Sequence, residues 1–227
     1  MLLLALLAAT TTAFALTEAL KLEPTPISRP RFNVAFSPGC ACIHDTARLP
    51  VRLKEAETID ATIVDSEGDE VRTLTVASPR EPGRTVLPWD GKDDRGEIVP
   101  DGTYRLRLSF ERSDRSIVVP NPIQVDTRAP TIELVSVTPR APEPAEEVTA
   151  AARSNERARL LVYADGRLVA RSRAGGPGIL RLMWDGTGRR GNPLPAGEYA
   201  LTLAAQDRAG NISEQTAVVP VQLGPGG

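Results

Sequence analysis

Histidine occurs once (His44), cysteine twice (Cys40 and Cys42), and aromatic residues make up 4% of the 227 positions. So thin a supply of imidazole and thiol leaves little to build a catalytic centre from. No nucleophile elbow, phosphate-binding loop or dinucleotide fingerprint is present either. Carboxylates are plentiful but sit mostly in turn-like contexts, so no catalytic residue, metal ligand or cofactor site is assigned and the chain is expected not to be an enzyme. Charge of one sign is also missing: 27 basic against 29 acidic residues give a formal net charge of −2. That balance gives no case for nucleic acid, which calls for a clustered basic surface, nor for anionic membrane surfaces. With few aromatics, any core must rest on Val, Leu, Ile and Ala, and the length allows one large domain or two small ones.

No charged side chain occurs before Glu18, and no Lys or Arg before Lys21. Met1 to Leu16 reads MLLLALLAATTTAFAL, which is short for a membrane span unless it extends through Leu20. Two readings stand: a signal peptide cleaved after Ala13-Phe14-Ala15, or an uncleaved anchor helix leaving the membrane at Lys21-Leu22-Glu23-Pro24. Both place the rest of the chain outside the cytoplasm, with retention in the cell membrane as a single-pass protein preferred over secretion. The absence of a positive flank weakens the orientation rule on which this rests.

The most informative feature is an internal repeat. Trp89 to Leu108 recurs as Trp184 to Leu203 without a gap, Trp89 and Trp184 lying 95 positions apart, as do Tyr104 and Tyr199; ten of the twenty aligned positions are identical. The shared structural set is Trp89, Asp90, Gly91, Gly96, Pro100, Gly102 and Tyr104 in the first copy. Trp184, Asp185, Gly186, Gly191, Pro195, Gly197 and Tyr199 match them in the second. Each copy reads as a strand arriving at Trp, a Gly-rich loop, a Pro-x-Gly turn that tolerates positive φ at Gly102 or Gly197, and a departing strand. That strand alternates, with Tyr104, Leu106, Leu108 and Phe110 inward in the first copy and Tyr199, Leu201, Leu203 and Ala205 in the second. Period-two alternation with polar outward positions means antiparallel sheet, buried on one face.

Other strands fit the scheme. Thr58 to Val64 alternates, Ser66 to Asp69 turns, and Val71 to Val76 returns; Arg159 to Tyr163, the turn Ala164-Asp165-Gly166 and Arg167 to Ala170 echo this. No convincing amphipathic helix appears. The expected fold is all-β: two tandem immunoglobulin-like antiparallel β-sandwiches preceded by an N-terminal hydrophobic helix. The expected domains are the anchor or signal peptide (1–21), a linker (22–34), two Ig-like domains (35–128 and 129–223) and a tail (224–227). Asp126 to Pro130 is the short, rigid join.

Val71-Arg72-Thr73-Leu74 together with Trp89 through Leu108 resembles the immunoglobulin-like domain of the flagellar hook-capping (FlgD-type) family. The second copy matches more loosely; Arg128-Ala129-Pro130 and Asp207 to Asn211 resemble bacterial Ig-like repeats. The resemblance covers about residues 35 to 223 and implies a fold used as spacer, adhesion module and assembly scaffold alike. The expected function is a non-catalytic bacterial cell-surface protein presenting two rigid Ig-like modules to an unknown protein or cell-wall polymer. The alternatives are an assembly scaffold for a surface appendage, or an accessory binding module for a cell-wall enzyme.

Three features invite more specific chemistry. The acidic loop Asp90 to Glu97 suggests calcium, but Lys92 occupies a ligand position and the second copy keeps only Asp185, so a backbone turn is the stronger reading. Trp89 and Trp184 could stack on sugars, yet their equal spacing suits a core role better. Cys40 and Cys42 are a candidate local disulfide outside the membrane. Free or intermolecular thiols, and a zinc site completed by His44 and Asp45, remain open at this point.

Overall fold

The computed structural model describes residues 25–28, 30, 32–40, 42–143 and 146–224. The N-terminal helix expected over residues 1–21 lies outside the described residues, and so does Ala41. Among the described residues every regular element is a strand, and no helix is long and apolar enough to cross a membrane.

The first half contains β1 (Val34–Phe36), β2 (Ala47–Leu53), β3 (Glu57–Val64), β4 (Glu70–Arg80), β5 (Gly83–Trp89), β6 (Gly102–Phe110), β7 (Arg115–Val118) and β8 (Ile123–Val125). They form one sheet in the order β1-β8-β6-β3-β4, with β7 also on β6, and a facing pair β2-β5. The second half contains β9 (Ile132–Thr138), β10 (Val148–Ser154), β11 (Arg159–Ala164), β12 (Arg167–Arg171), β13 (Gly178–Trp184), β14 (Gly197–Gln206) and β15 (Val219–Leu223). Its sheets are β13-β10-β9 and β12-β11-β14-β15.

The alternation is visible in the burial. In β2, Ala47, Leu49, Val51 and Leu53 are buried and Arg48 and Arg52 exposed; in β6, Tyr104, Leu106, Leu108 and Phe110 are buried. Each half closes over its own core. The first is built from Ile27 to Val125 around Phe36 and Trp89, and the second from Val137 to Leu223 around Trp184. The second core is aliphatic apart from Trp184 and the partly buried Tyr199, as the scarcity of aromatics requires. Ile27 and Phe32 are buried in the first core, which therefore draws on residues ahead of position 35.

One local expectation is corrected, and one turn is placed more closely. Strand β4 runs on to Arg80 rather than stopping near Val76, because it is an edge strand: β3 is the one strand it pairs with among the described residues, across irregular register, and it can carry Pro79. Gly102 does not take positive φ. It already belongs to β6, opposite Val125, so the Pro100-Asp101 pair makes the turn ahead of it.

Candidate functional site

The repeated sequence builds the same loop twice. Trp89 and Trp184 bury their rings, and each indole Nε1–H donates to the carbonyl three residues on, Lys92 at 2.9 Å and Thr187 at 2.7 Å. Asp90 and Asp185 accept from the backbone N–H two residues later, at 3.2 and 3.0 Å. Gly91 and Gly186 have φ of 75° and 76°, a left-handed geometry that disfavours any side chain. The loop closes through Val99 N–H to Gly91 O (2.9 Å) and Leu194 N–H to Gly186 O (3.0 Å). Finally Tyr104 and Tyr199 donate their hydroxyls to Pro100 O and Pro195 O, at 2.8 and 2.9 Å. The shared Trp, Asp, first Gly, Pro and Tyr are thus residues whose side chains, backbone angles or carbonyls close this loop. Trp89 packs edge-on between Phe36 (5.5 Å) and Tyr104 (5.2 Å) and has no face left for a ligand.

The acidic residues of the first loop serve the backbone. Asp93 Oδ1 accepts from Arg95 and Glu97 N–H, both at 2.9 Å, and Asp94 accepts from the Thr73 N–H at 3.0 Å, tying the loop to β4. In the second loop, the Thr187 hydroxyl donating to Asp185 at 2.7 Å holds that carboxyl below the usual carboxylate range.

The structure also brings together residues that sequence reasoning left apart. Asp101, with no acidic counterpart in the second copy (Ala196), holds the connecting segment. Its Oδ1 accepts from Thr127 N–H and Thr127 Oγ1, each at 2.8 Å, and its Oδ2 pairs with Arg128 Nε at 3.0 Å. On the far side, Thr131 N–H donates to Asn155 Oδ1 at 2.8 Å. The turn Asp207 to Asn211 then reaches across: Asn211 Nδ2 donates to Asp126 O (2.9 Å), and Arg208 donates to Asn33 O (2.8 Å). Gly210 (φ 101°) sits so close to the Cys40–His44 loop that a Cβ on it would lie 3.0 Å from His44 Cδ2 and 3.1 Å from Cys42 Sγ. The loops at one end of the second sandwich therefore meet the far end of the first. The sequence signal was there to be used: an acidic residue present in only one of two otherwise matching Pro-x-Gly turns.

Asp126, Glu156 and Asp207 each bring a carboxylate oxygen within 4.8 Å of the others at this joint. Burial, with the neighbouring Asp207 and Asp101 charges, raises the Asp126 carboxyl above its ordinary value despite the hydrogen bond from Arg128 N–H. Burial and the Asp126 and Asp207 charges do the same to Glu156. Asp207 is already in use: Oδ1 accepts from Gly210 and Asn211 N–H (2.7 and 2.9 Å) and Oδ2 from Asn211 Nδ2 (2.7 Å). Its chemistry is that of a turn builder. Cys40 and Cys42 have Sγ atoms 2.11 Å apart, in a loop closed by Ser37 N–H to His44 O at 2.9 Å, while exposed His44 and Asp45 are not gathered with them into a four-ligand set.

These features define a pair of immunoglobulin-like β-sandwiches fastened end to end. Residues 43–114, within the first sandwich, match the family model described as the FlgD Ig-like domain. The basal-body rod modification protein FlgD of Salmonella typhimurium is 32% identical over 83 residues, covering 36% of this chain and 35% of that protein; the Salmonella typhi protein gives the same figures. The chain thus spans about a third of the length of the curated relatives it matches. Among solved structures, fibronectin(III)-like modules of Clostridium thermocellum CbhA align over 88% of this chain and 93% of theirs, at 15% identity and a TM-score of 0.45. FlgD from P. aeruginosa aligns over 58% of this chain and 88% of its own, at 18% identity and a TM-score of 0.32.

Proposed function

We propose that the protein is a non-catalytic structural and interaction module of the bacterial cell surface, tethered by its N-terminal apolar segment and presenting two rigid Ig-like sandwiches outside the cytoplasm. The observation that carries this reading is the fastened joint. Asp101, Asn155 and Asn211 fix the connecting segment from both sides, an arrangement suited to holding two surfaces at a set distance. The polar residues of the repeated loops serve turns and caps, which supports a scaffold rather than a catalyst. The apolar run to Leu20 supports the tether, and the paired sulfurs of Cys40 and Cys42 suit an oxidising compartment. A second reading, a scaffold for assembling a surface appendage, is favoured by the likeness to the basal-body rod modification protein.

Fractionation of the native protein, with intact mass before and after reduction and protease treatment of intact spheroplasts, tests the proposal. Full-length protein in the membrane fraction, cleaved from outside and gaining two hydrogens on reduction, is the expected result. Protein found in the cytosol with free thiols would overturn it. Loss of flagella or pili on deletion would shift the assignment to the appendage scaffold.

A further inference from the structure

The outward face of the two-stranded sheet β2-β5 carries Arg48, Pro50 and Arg52 opposite Pro88, Val86 and Arg84, in that order. All but the partly buried Pro50 are exposed, and no acidic residue lies on the face. The ion pairs of Arg72, Arg107 and Arg128 lie elsewhere; among the described residues none of the three guanidiniums on this face has a carboxylate partner. Arg52 and Arg84 are directly cross-strand. The Arg52 carbonyl accepts from Ser28 N–H, away from β5, which makes Arg52-Arg84 a non-hydrogen-bonded pair with side chains at their closest. Like charges so placed destabilise a sheet, and an anionic partner would relieve the repulsion.

We infer that this face binds an acidic polysaccharide, with carboxylates on the sugar rings paired to Arg48, Arg52 and Arg84 and ring faces resting on Pro50, Val86 and Pro88. Arginine matches carboxylate with a planar, two-pronged donor set. Arg48 and Arg52 stand four strand residues apart, about 13 Å, so a chain fits rather than a single acid. Pro50 and Pro88 lack the N–H that an added peptide strand would need, so edge pairing by an acidic peptide is blunted. An anionic membrane fits poorly because exposed Asp45 and Asp90 border one end of the face and Glu55 and Glu81 the other. A narrow polymer passes between those carboxylates, whereas a broad charged plane meets them.

The inference names a partner for the proposed surface module and rests on that reading only for where the partner is met. The test titrates the full chain with polygalacturonate, with dextran, polyglutamate and phosphatidylglycerol vesicles as comparisons. Polygalacturonate should bind in a salt-dependent way, and the triple substitution Arg48→Gln, Arg52→Gln, Arg84→Gln should weaken binding at least about tenfold. Removing the same charge elsewhere, by Arg159→Gln, Arg167→Gln and Arg171→Gln, should change affinity by less than about twofold. No binding to polygalacturonate, equal loss from both triple variants, or tighter binding to polyglutamate or vesicles would overturn the inference. Failure here with correct surface localisation would leave the module reading standing.

Discussion

Gly91 and Gly186 occupy the same position in the two repeated loops with the same backbone angle, φ 75° and 76°, but different surroundings. A Cβ added at Gly91 would overlap Pro38 Cγ and lie 2.8 Å from Pro38 Cβ and 3.1 Å from Phe36 Cε2, all buried and in a rigid ring or the core. At Gly186 the nearest atoms are the Leu223 methyls at 3.6 Å, an ordinary contact. Alanine in left-handed geometry costs about 1–2 kcal/mol at either site. Overpacking adds about 1–3 kcal/mol at Gly91 alone. Gly186→Ala should therefore destabilise the second sandwich by about 1–2 kcal/mol, and Gly91→Ala the first by about 2–5 kcal/mol. Amide exchange under native conditions, read at Leu106 for the first sandwich and Leu203 for the second, separates the two effects. Equal losses in the two variants, or a Gly91→Ala loss under about 1 kcal/mol, would refute the reasoning.

Other outcomes are equally specific. Asp126 and Glu156 have raised carboxyl pKa values when folded, so they bind protons more tightly folded than unfolded. Their contribution is fully favourable below the unfolded carboxylate range, near pH 4, and is lost as pH rises through the raised folded values. Glu156→Gln should accordingly stabilise the joint at neutral pH by a few tenths of a kcal/mol, given the group's exposure. That gain should vanish near pH 4 in a pH series of urea midpoints. Asp101→Ala should loosen the connecting segment while leaving each sandwich within about 1 kcal/mol of its original stability. Small-angle scattering would show a larger maximum dimension, while a separate urea titration would show only a small shift in midpoint. Trp89→Phe leaves the Lys92 carbonyl without its indole donor, and should cost about 1–3 kcal/mol in the same urea assay.

Much of the architecture could be read from the sequence because its signals were local. Alternation in β6 and β14 and the Trp-Asp-Gly and Pro-x-Gly-x-Tyr spacings each reflect a bond or packing contact made within a few residues. What escaped was non-local. β1 is three residues long and exists because β8 lies beside it, in parallel, roughly ninety positions later. β7 is short and pairs at the end of β6, and nothing in its four residues announces a strand. The clasp between Asn211 and the Asp126 carbonyl joins residues 85 apart, and the Asp101 clasp depends on how the connecting segment folds back. The near-zero net charge also concealed the arginine face, since balance over the whole chain says nothing about where charges collect.

The joint is expected to hold the two sandwiches in one relative placement. The most direct measurement is a pulsed dipolar distance between spin-labelled residues introduced at Val76 and Met183, exposed positions on different sandwiches. The labels are best carried by incorporated amino acids that leave Cys40 and Cys42 untouched. A single narrow distance distribution, broadened by Asp101→Ala, is the predicted result. A broad distribution in the unsubstituted protein, indifferent to that change, would contradict it.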